Sequence, residues 1–529
     1  MAKNKYDVVV IGAGHNGLVA AAYLVKAGLD VCVFECHSKV GGGAITSEIN
    51  VPGFKFDLGS AAHYGIQGNP IIRQDDLGLK AKYGLKYLNP DPITAFVFPD
   101  DSSLVVYMDI NKTCESIARF SEKDAETWPS FCKNAAQTMR AGSMAMAAAL
   151  PPMGKLLSFL EASEEGREYW RVFLSSCMDV VEEWFESREV KAALCRYACD
   201  YMASPREYGT GFNAISGLAL IQNWGLGLPI GGSGALSEAL AAYIRDNGGT
   251  VIVSTLVKSI KVEGGEVKGV ILASGEDVKV SRAVVSNLNV KQLFLQMLRG
   301  EDLPAGFQTK VERLRHSRYS YMNYLIALNE APKYKAGPEV SRTASVAITP
   351  YLEDMLRALD DIIYGVPRAI MPFATVHSLE DPMRAPAGKH ALSLLHFAPY
   401  SLKNGGPAKW DEVKQKMADD VLNLARKHIT NLTAENILGS SVMSPLDIER
   451  YNPAMLRGDV LHIAHLPSQY FSNRPLPGWG QYRAPIKKLY MCGASTHPGG
   501  GVVGGGRATA QAVMEDLGLD FKKIVAGKK

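Results

Sequence analysis

Residues 8–35 read VVVIGAGHNGLVAAAYLVKAGLDVCVFE, and this stretch decides the fold. Val8 to Ile11 is an apolar, β-branched run that predicts a strand buried on both faces of a parallel sheet. Gly12, Gly14 and Gly17 follow at GxGxxG spacing, and the alanine-rich Leu18 to Ala27 has the composition of a helix packed on that sheet. Gly28 ends the helix. The glycines meet separate steric needs: a tight turn at Gly12, close approach of a pyrophosphate at Gly14, and close helix–strand packing at Gly17. A second strand, Val31 to Phe34, stops at Glu35, where an acid binds a ribose hydroxyl pair. An acid there disfavours a 2′-phosphate, so NADP is not expected while FAD and NAD remain.

Beyond Glu35 the chain reads CHSKVGGGAITSEINVPGFKFDLGSAAHYG, in which Gly41 to Gly43 let backbone run against a bound group. The pattern E-x(5)-GGG followed by PGFKFDLGS resembles the flavoprotein family of phytoene (carotenoid) desaturases and flavin amine oxidases. The segment LYMCGASTHPGGGVVGGGRATAQAVMEDLG, residues 489–518, is similar to the closing motif of the desaturase branch. The branch in question is often labelled by a pyridine nucleotide-disulfide oxidoreductase domain. Yet the eight cysteines include no C-x-x-C pair, and no second GxGxxG start follows a strand. One bound FAD and no dedicated NAD(P)H domain are therefore expected.

The resemblance implies an α/β fold: a discontinuous Rossmann-type FAD-binding domain over residues 1–85, 225–300 and 456–529, with an inserted α+β substrate domain over 86–224 and 301–455. It implies cofactor contacts at Gly12, Gly14, Gly17, Glu35, Gly42, Gly43, Val257, Gly493, Gly501, Val502 and Val503. The middle segment, LPIGGSGALSEALAAYIRDNGGTVIVS, predicts a helix over Ala235 to Asp246 and a strand over Val251 to Ser254. Lys261 to Leu272 alternates about Gly264-Gly265 like a β-hairpin, and Ala283 to Ser286 returns to the sheet. SNLNV then stands where the family usually has Ala-Asp-Pro, a departure expected to alter only a local turn. Residues 112–203 are rich in helix formers. In YSYMNYLIAL, Tyr319, Tyr321 and Asn323 share one strand face and Met322, Tyr324 and Ile326 the other, so one face either lines a pocket or packs on a neighbouring layer.

At 529 residues the chain exceeds one core. A net charge of +3 without a Lys/Arg cluster argues against nucleic acid. MAKNKYD runs into the first strand without an apolar leader, which predicts a cytoplasmic protein. The apolar stretch Met144 to Leu160 is broken by Pro151, Pro152, Gly154 and Lys155, and reads as a core helix or an interfacial or lid element. The resemblance leaves peripheral membrane contact open. His462 and His465, three apart on an expected strand, would fall on opposite faces, so no metal site is predicted.

His63 and Tyr64, after DLGS, are the candidate catalytic pair: a neutral histidine can accept a proton and a phenol can donate to an oxyanion. His497 is read as structural or flavin-contacting, Cys492 as a packed thiol rather than a flavin attachment point. Arg474 and Arg483 are either solvated or anchors for a substrate carboxylate, and Trp479 and Tyr482 are candidate aromatic walls. The expected activity is FAD-dependent dehydrogenation of a C–C bond in an apolar or alicyclic substrate, a cyclic ketone or a polyene precursor, with oxygen, a quinone or a carrier as electron acceptor. The alternatives are a flavin amine oxidase and a non-catalytic flavin-binding partner protein.

Overall fold

The computed structural model describes residues 3–146 and 149–527. The expected first strand, helix and second strand are present as β1 (Lys5–Ile11), α1 (His15–Lys26) and β2 (Val31–Phe34). They belong to a sheet whose parallel core runs in the order Thr250–Ile252, β2, β1, Asp277–Ser286, Leu489–Met491. This is the doubly wound order, in which the chain reverses direction beside β1 and leaves a crevice at the carboxyl ends of the strands.

Burial on both faces explains the unbroken apolar runs. Val8, Val10, Val31 and Val33 pack under α1 and the helices Gly234–Asp246 and Gly506–Asp516. Val9, Ile11, Cys32 and Phe34 meet the hairpin Val257–Glu263 and Glu266–Leu272 and the segment Val290 to Val311 on the other face. The hairpin turns at Gly264 and Gly265, both at positive φ (60° and 73°), as its Gly-Gly tip requires. At Gly17 an added Cβ would lie 2.4 Å from the Gly12 carbonyl oxygen, so the helix sits as close to the turn as backbone allows.

A second seven-stranded sheet carries Thr94–Val97, Ser103–Val106, Ser320–Leu328, Ser345–Ile348, Phe373–Thr375, His390–Ala398 and Ile437–Met443. Met322, Tyr324, Ile326 and Leu328 point from it into a core roofed by the helix Trp410–Arg426. The opposite face is turned toward the nucleotide-type sheet. Helices between Ile110 and Trp224 close the side, around Trp128, Phe131 and Phe185.

A buried ion triad joins a separate two-stranded hairpin, Thr46–Glu48 with Lys55–Asp57, to the turn Pro382–Arg384. Arg384 binds Asp57 of the strand Lys55–Asp57 and Asp381, all three nearly inaccessible, while Asp57 and Asp381 also accept from Ser233 N (2.8 Å) and Gly231 N (2.6 Å). Burial opposes the Arg384 charge, but the two carboxylates outweigh it and hold its pKa above the ordinary value. Residues 147–148 of the Met144 to Leu160 stretch, expected as a core helix or an interfacial or lid element, lie outside the described residues; Met153–Glu161 beyond them is helical. No helix among the described residues is long and apolar enough to cross a membrane.

Candidate functional site

A cavity of about 810 Å³ runs from the crevice of the first sheet to the free face of the second. Its nucleotide end is lined by Gly12, Gly14, His15, Asn16, Glu35, Gly42, Gly43 and Val257, and its middle by Gly501, Val502 and Val503. Helix α1 starts at Gly14 with no side-chain cap, which leaves first-turn N–H groups for an anion. Gly42 comes so close that its Cβ would lie 3.0 Å from Gly14 Cα. The Glu35 carboxylate is pre-oriented: Oε2 accepts from Ala13 N (2.7 Å) and Oε1 from His37 N (2.8 Å).

The far end is built from the helices and the second sheet. Tyr64, Tyr197, Tyr201, Phe212, Leu220, Trp224 and Leu226 form one wall. Tyr321, Asn323, Phe373, Thr375, Ser393, Leu395 and Met443 form the floor. The floor confirms the two-faced reading of YSYMNYLIAL, with Tyr321 and Asn323 on the cavity side. Burial, then Tyr201, pushes the Tyr64 phenol well above its usual pKa, so it stays protonated. Asp200 also lines this end, and Arg196 Nη1 donates to its Oδ1 at 3.0 Å.

The model of the flavin containing amine oxidoreductase family matches residues 17–514. The chain belongs to that family. It is 33% identical to pyridine nucleotide-disulfide oxidoreductase domain-containing protein 2 of Rattus norvegicus, over 97% of this chain and 94% of that one. It is 27% identical to a limonene dehydrogenase subunit from Castellaniella defragrans, over 97% and 95%. The fold is similar to that of an oxidoreductase from Methanosarcina mazei, with a TM-score of 0.61 at 17% identity over 97% of this chain and 100% of that one. The chain is thus a flavin-dependent oxidoreductase, and FAD is its cofactor.

The site fits that group. Asn16 Oδ1, His15 Nδ1 and Gln292 Oε1 are buried polar atoms without a protein partner among the described residues, all on residues of the cavity wall at its nucleotide end. Such atoms cost free energy unless a ligand pairs them. Bound there, FAD would find Glu35 for its ribose, the α1 N-terminus for its pyrophosphate, and the backbone of Gly500 to Val503 in the middle of the cavity.

Several expected residues lie elsewhere. Gly17 and Gly493 do not line the cavity: Gly17 packs α1 on its turn, and a Cβ at Gly493 would meet Asn287 Oδ1 at 2.5 Å. His63 is also absent from the wall. It is fully buried, with Nδ1 3.1 Å from Tyr87 OH and Nε2 2.7 Å from Ser233 Oγ, and burial lowers its pKa to about 3. The geometry gives His63 a packing contact and leaves Tyr64 as the member of the pair that faces the cavity. Arg474 and Arg483 are committed to the protein, the first to five carbonyls and the second to Asp516. Trp479 packs on Phe307, and Tyr482 donates to the His497 carbonyl (3.1 Å). Cys492 is a buried thiol pushed up to about 12 by desolvation.

His462 and His465 correct the strand reading. Residues 461–466 form an irregular segment because Arg474 takes the carbonyls of Leu461, Ile463 and Ala464, and both rings line the cavity. Among the described residues no group of three His, Cys, Asp or Glu could hold a metal. Sequence reasoning missed Asn287, which follows the strand Asp277–Ser286, donates to the Gly12 carbonyl (3.4 Å) and lies against Gly14 and Gly17. Its signal was the SNLNV departure itself, read only as a turn.

Proposed function

We propose that this flavoprotein dehydrogenates a C–C bond of an apolar, alicyclic substrate. One observation carries the reading: on the walls formed by residues 197–226 and 321–443, every charged side chain is already paired inside the protein. Asp200 is paired with Arg196, and Arg384 with Asp57 and Asp381. His377 on the same wall is kept neutral by burial, at a pKa of about 3. A substrate ammonium or carboxylate would give up its hydration here without gaining a counter-charge, which costs several kcal/mol, whereas rings and aliphatic groups match the walls. Limonene dehydrogenase among the relatives supports a substrate of this class.

FAD supplies the hydride acceptor when bound. The chain's own residues exclude water with Phe212, Leu220, Trp224 and Leu226, and present the neutral Tyr64 phenol as a hydrogen-bond donor to a substrate oxygen. The test is an anaerobic absorbance titration of purified holoenzyme with saturated cyclic ketones, polyene precursors and amines. Loss of the oxidised-flavin band with alicyclic substrates supports the proposal. Bleaching by amines alone would move the protein to the oxidase reading.

A further inference from the structure

We infer that Asp200 is the proton acceptor of the substrate cavity, its free carboxylate oxygen taking a proton from a substrate carbon next to the one that loses hydride. The inference rests on the dehydrogenation proposed above and narrows the substrate to one with an acidified C–H, such as the α position of a ketone.

Asp200 sits in the single turn Cys199–Tyr201 that closes the helix Arg188–Ala198. Its carboxylate is the one acid on the walls formed by residues 197–226 and 321–443. Oδ1 accepts from Arg196 Nη1 at 3.0 Å, and among the described residues no protein donor reaches the second oxygen. Three nearby hydroxyls donate elsewhere: Tyr321 OH to the Asp200 carbonyl (2.9 Å), Tyr319 OH to those of Cys199 and Ala203 (both 3.0 Å), and Ser216 Oγ to Tyr201 OH (3.2 Å). A half-satisfied carboxylate in a cavity of rings needs a ligand or a proton.

Two uses of such a group compete, and Arg196 decides between them. Arg196 is 1% exposed; its guanidinium donates to the Met371 carbonyl (3.1 Å) and lies 4.8 Å and 5.5 Å from the rings of Phe397 and Phe373. The Arg–Asp pair is neutral overall, so it offers little to a substrate cation. A proton it can hold. The groups facing Asp200 are Arg196, the phenols Tyr64, Tyr197, Tyr201, Tyr319 and Tyr321, and the Cys199 thiol. Burial pushes all the phenols and the thiol up, so they stay neutral, and Arg196 is the only charge among them. Burial, opposed by Arg196, raises the Asp200 pKa above the usual carboxylate range, toward what a general base at neutral pH requires.

In the step, one C–H bond breaks and its proton goes to the Asp200 oxygen; its electron pair becomes the new C–C π bond; hydride leaves the adjacent carbon with two electrons, which reduce the bound FAD. The proton later passes to solvent.

The experiment uses holoenzyme as wild type, Asp200→Asn and Asp200→Glu. In D₂O, with the flavin held reduced by dithionite, exchange of α-hydrogens of a saturated cyclic ketone is followed by NMR, and the protein carboxyl stretch is titrated by infrared difference spectroscopy. Wild type is expected to exchange the α position and to show a carboxyl band that titrates above the ordinary range. Asp200→Asn should keep its flavin spectrum, lose that band and exchange roughly 10²–10⁴-fold more slowly, with partial recovery in Asp200→Glu. Equal exchange in wild type and Asp200→Asn, no exchange in wild type, or no such band overturns the assignment. Ketones that bleach the flavin equally in wild type and Asp200→Asn refute Asp200 alone; bleaching by amines only refutes dehydrogenation itself.

Discussion

Arg474→Met should loosen the cavity wall that carries His462 and His465. Arg474 is fully buried and donates to the carbonyls of Leu461 (2.8 Å), Ile463 (3.0 Å), Ala464 (3.2 Å), Gln469 (3.1 Å) and Ala494 (2.9 and 2.6 Å). Leu461 and Ala464 keep a second donor, from Ile463 N and Gln469 Nε2. Ile463, Gln469 and Ala494 do not. Each buried acceptor left unpaired costs about 1–3 kcal/mol, and relaxation of an irregular segment favours the low end, which gives roughly 3–5 kcal/mol for the three. At 1.4 kcal/mol per factor of ten, amides such as Ala464 N, held 2.8 Å from the Arg315 carbonyl, should exchange about 10²–10⁴-fold faster. Hydrogen exchange with mass spectrometry on peptides spanning 459–475 reads this directly, with the helix Trp410–Arg426 as an internal reference. Protection in 459–475 unchanged within a factor of three would refute the reasoning.

Arg384→Met strands two buried carboxylates, Asp57 and Asp381, and should cost about 3–5 kcal/mol; a smaller loss in the variant that also carries Asp57→Leu and Asp381→Leu, measured by urea unfolding, would confirm that the uncompensated charges are the cause. Acid should destabilise the fold from about pH 6.5 downward. Burial depresses His63, His377 and His396 to about 3, so the unfolded chain binds more protons throughout the interval between 6.5 and 3. Stability is then full above 6.5 and falls by about 2 kcal/mol per histidine by pH 5; a thermal midpoint flat between pH 7 and 5 would contradict this. Gly17→Val places a side chain against the Gly12 carbonyl, where even Cβ would lie 2.4 Å away, and should yield protein without FAD, whereas a yellow variant of normal flavin content would show that the turn can shift.

The nucleotide half was legible because its residues answer local needs. Val8 to Ile11 and Val31 to Phe34 must be apolar to be buried on both faces, Gly12 takes a positive φ of 93°, and Gly17 leaves no room for a Cβ against the Gly12 carbonyl. His63 lies off the cavity wall for a physical reason: proximity in sequence to the DLGS motif says nothing about which way a ring points, and Tyr87 and Ser233, distant in sequence, turn it into the core. Asp200 and Arg196 carried no readable signal, since four residues apart on a helix end they resemble any solvated ion pair. Only the packing of Phe373 and Phe397 against the guanidinium makes them otherwise. The 461–466 segment was expected as a strand, and a single arginine thirteen residues after Leu461 redirected its carbonyls.

The most direct test is a single anaerobic turnover with the product identified by mass spectrometry. Holoenzyme mixed with an equimolar saturated alicyclic ketone should lose its oxidised-flavin absorbance and release a product two hydrogens lighter, with its carbon skeleton and oxygen intact. Flavin that stays oxidised with every such substrate, yet is reduced by an amine that emerges as the hydrolysed carbonyl product, would contradict the account.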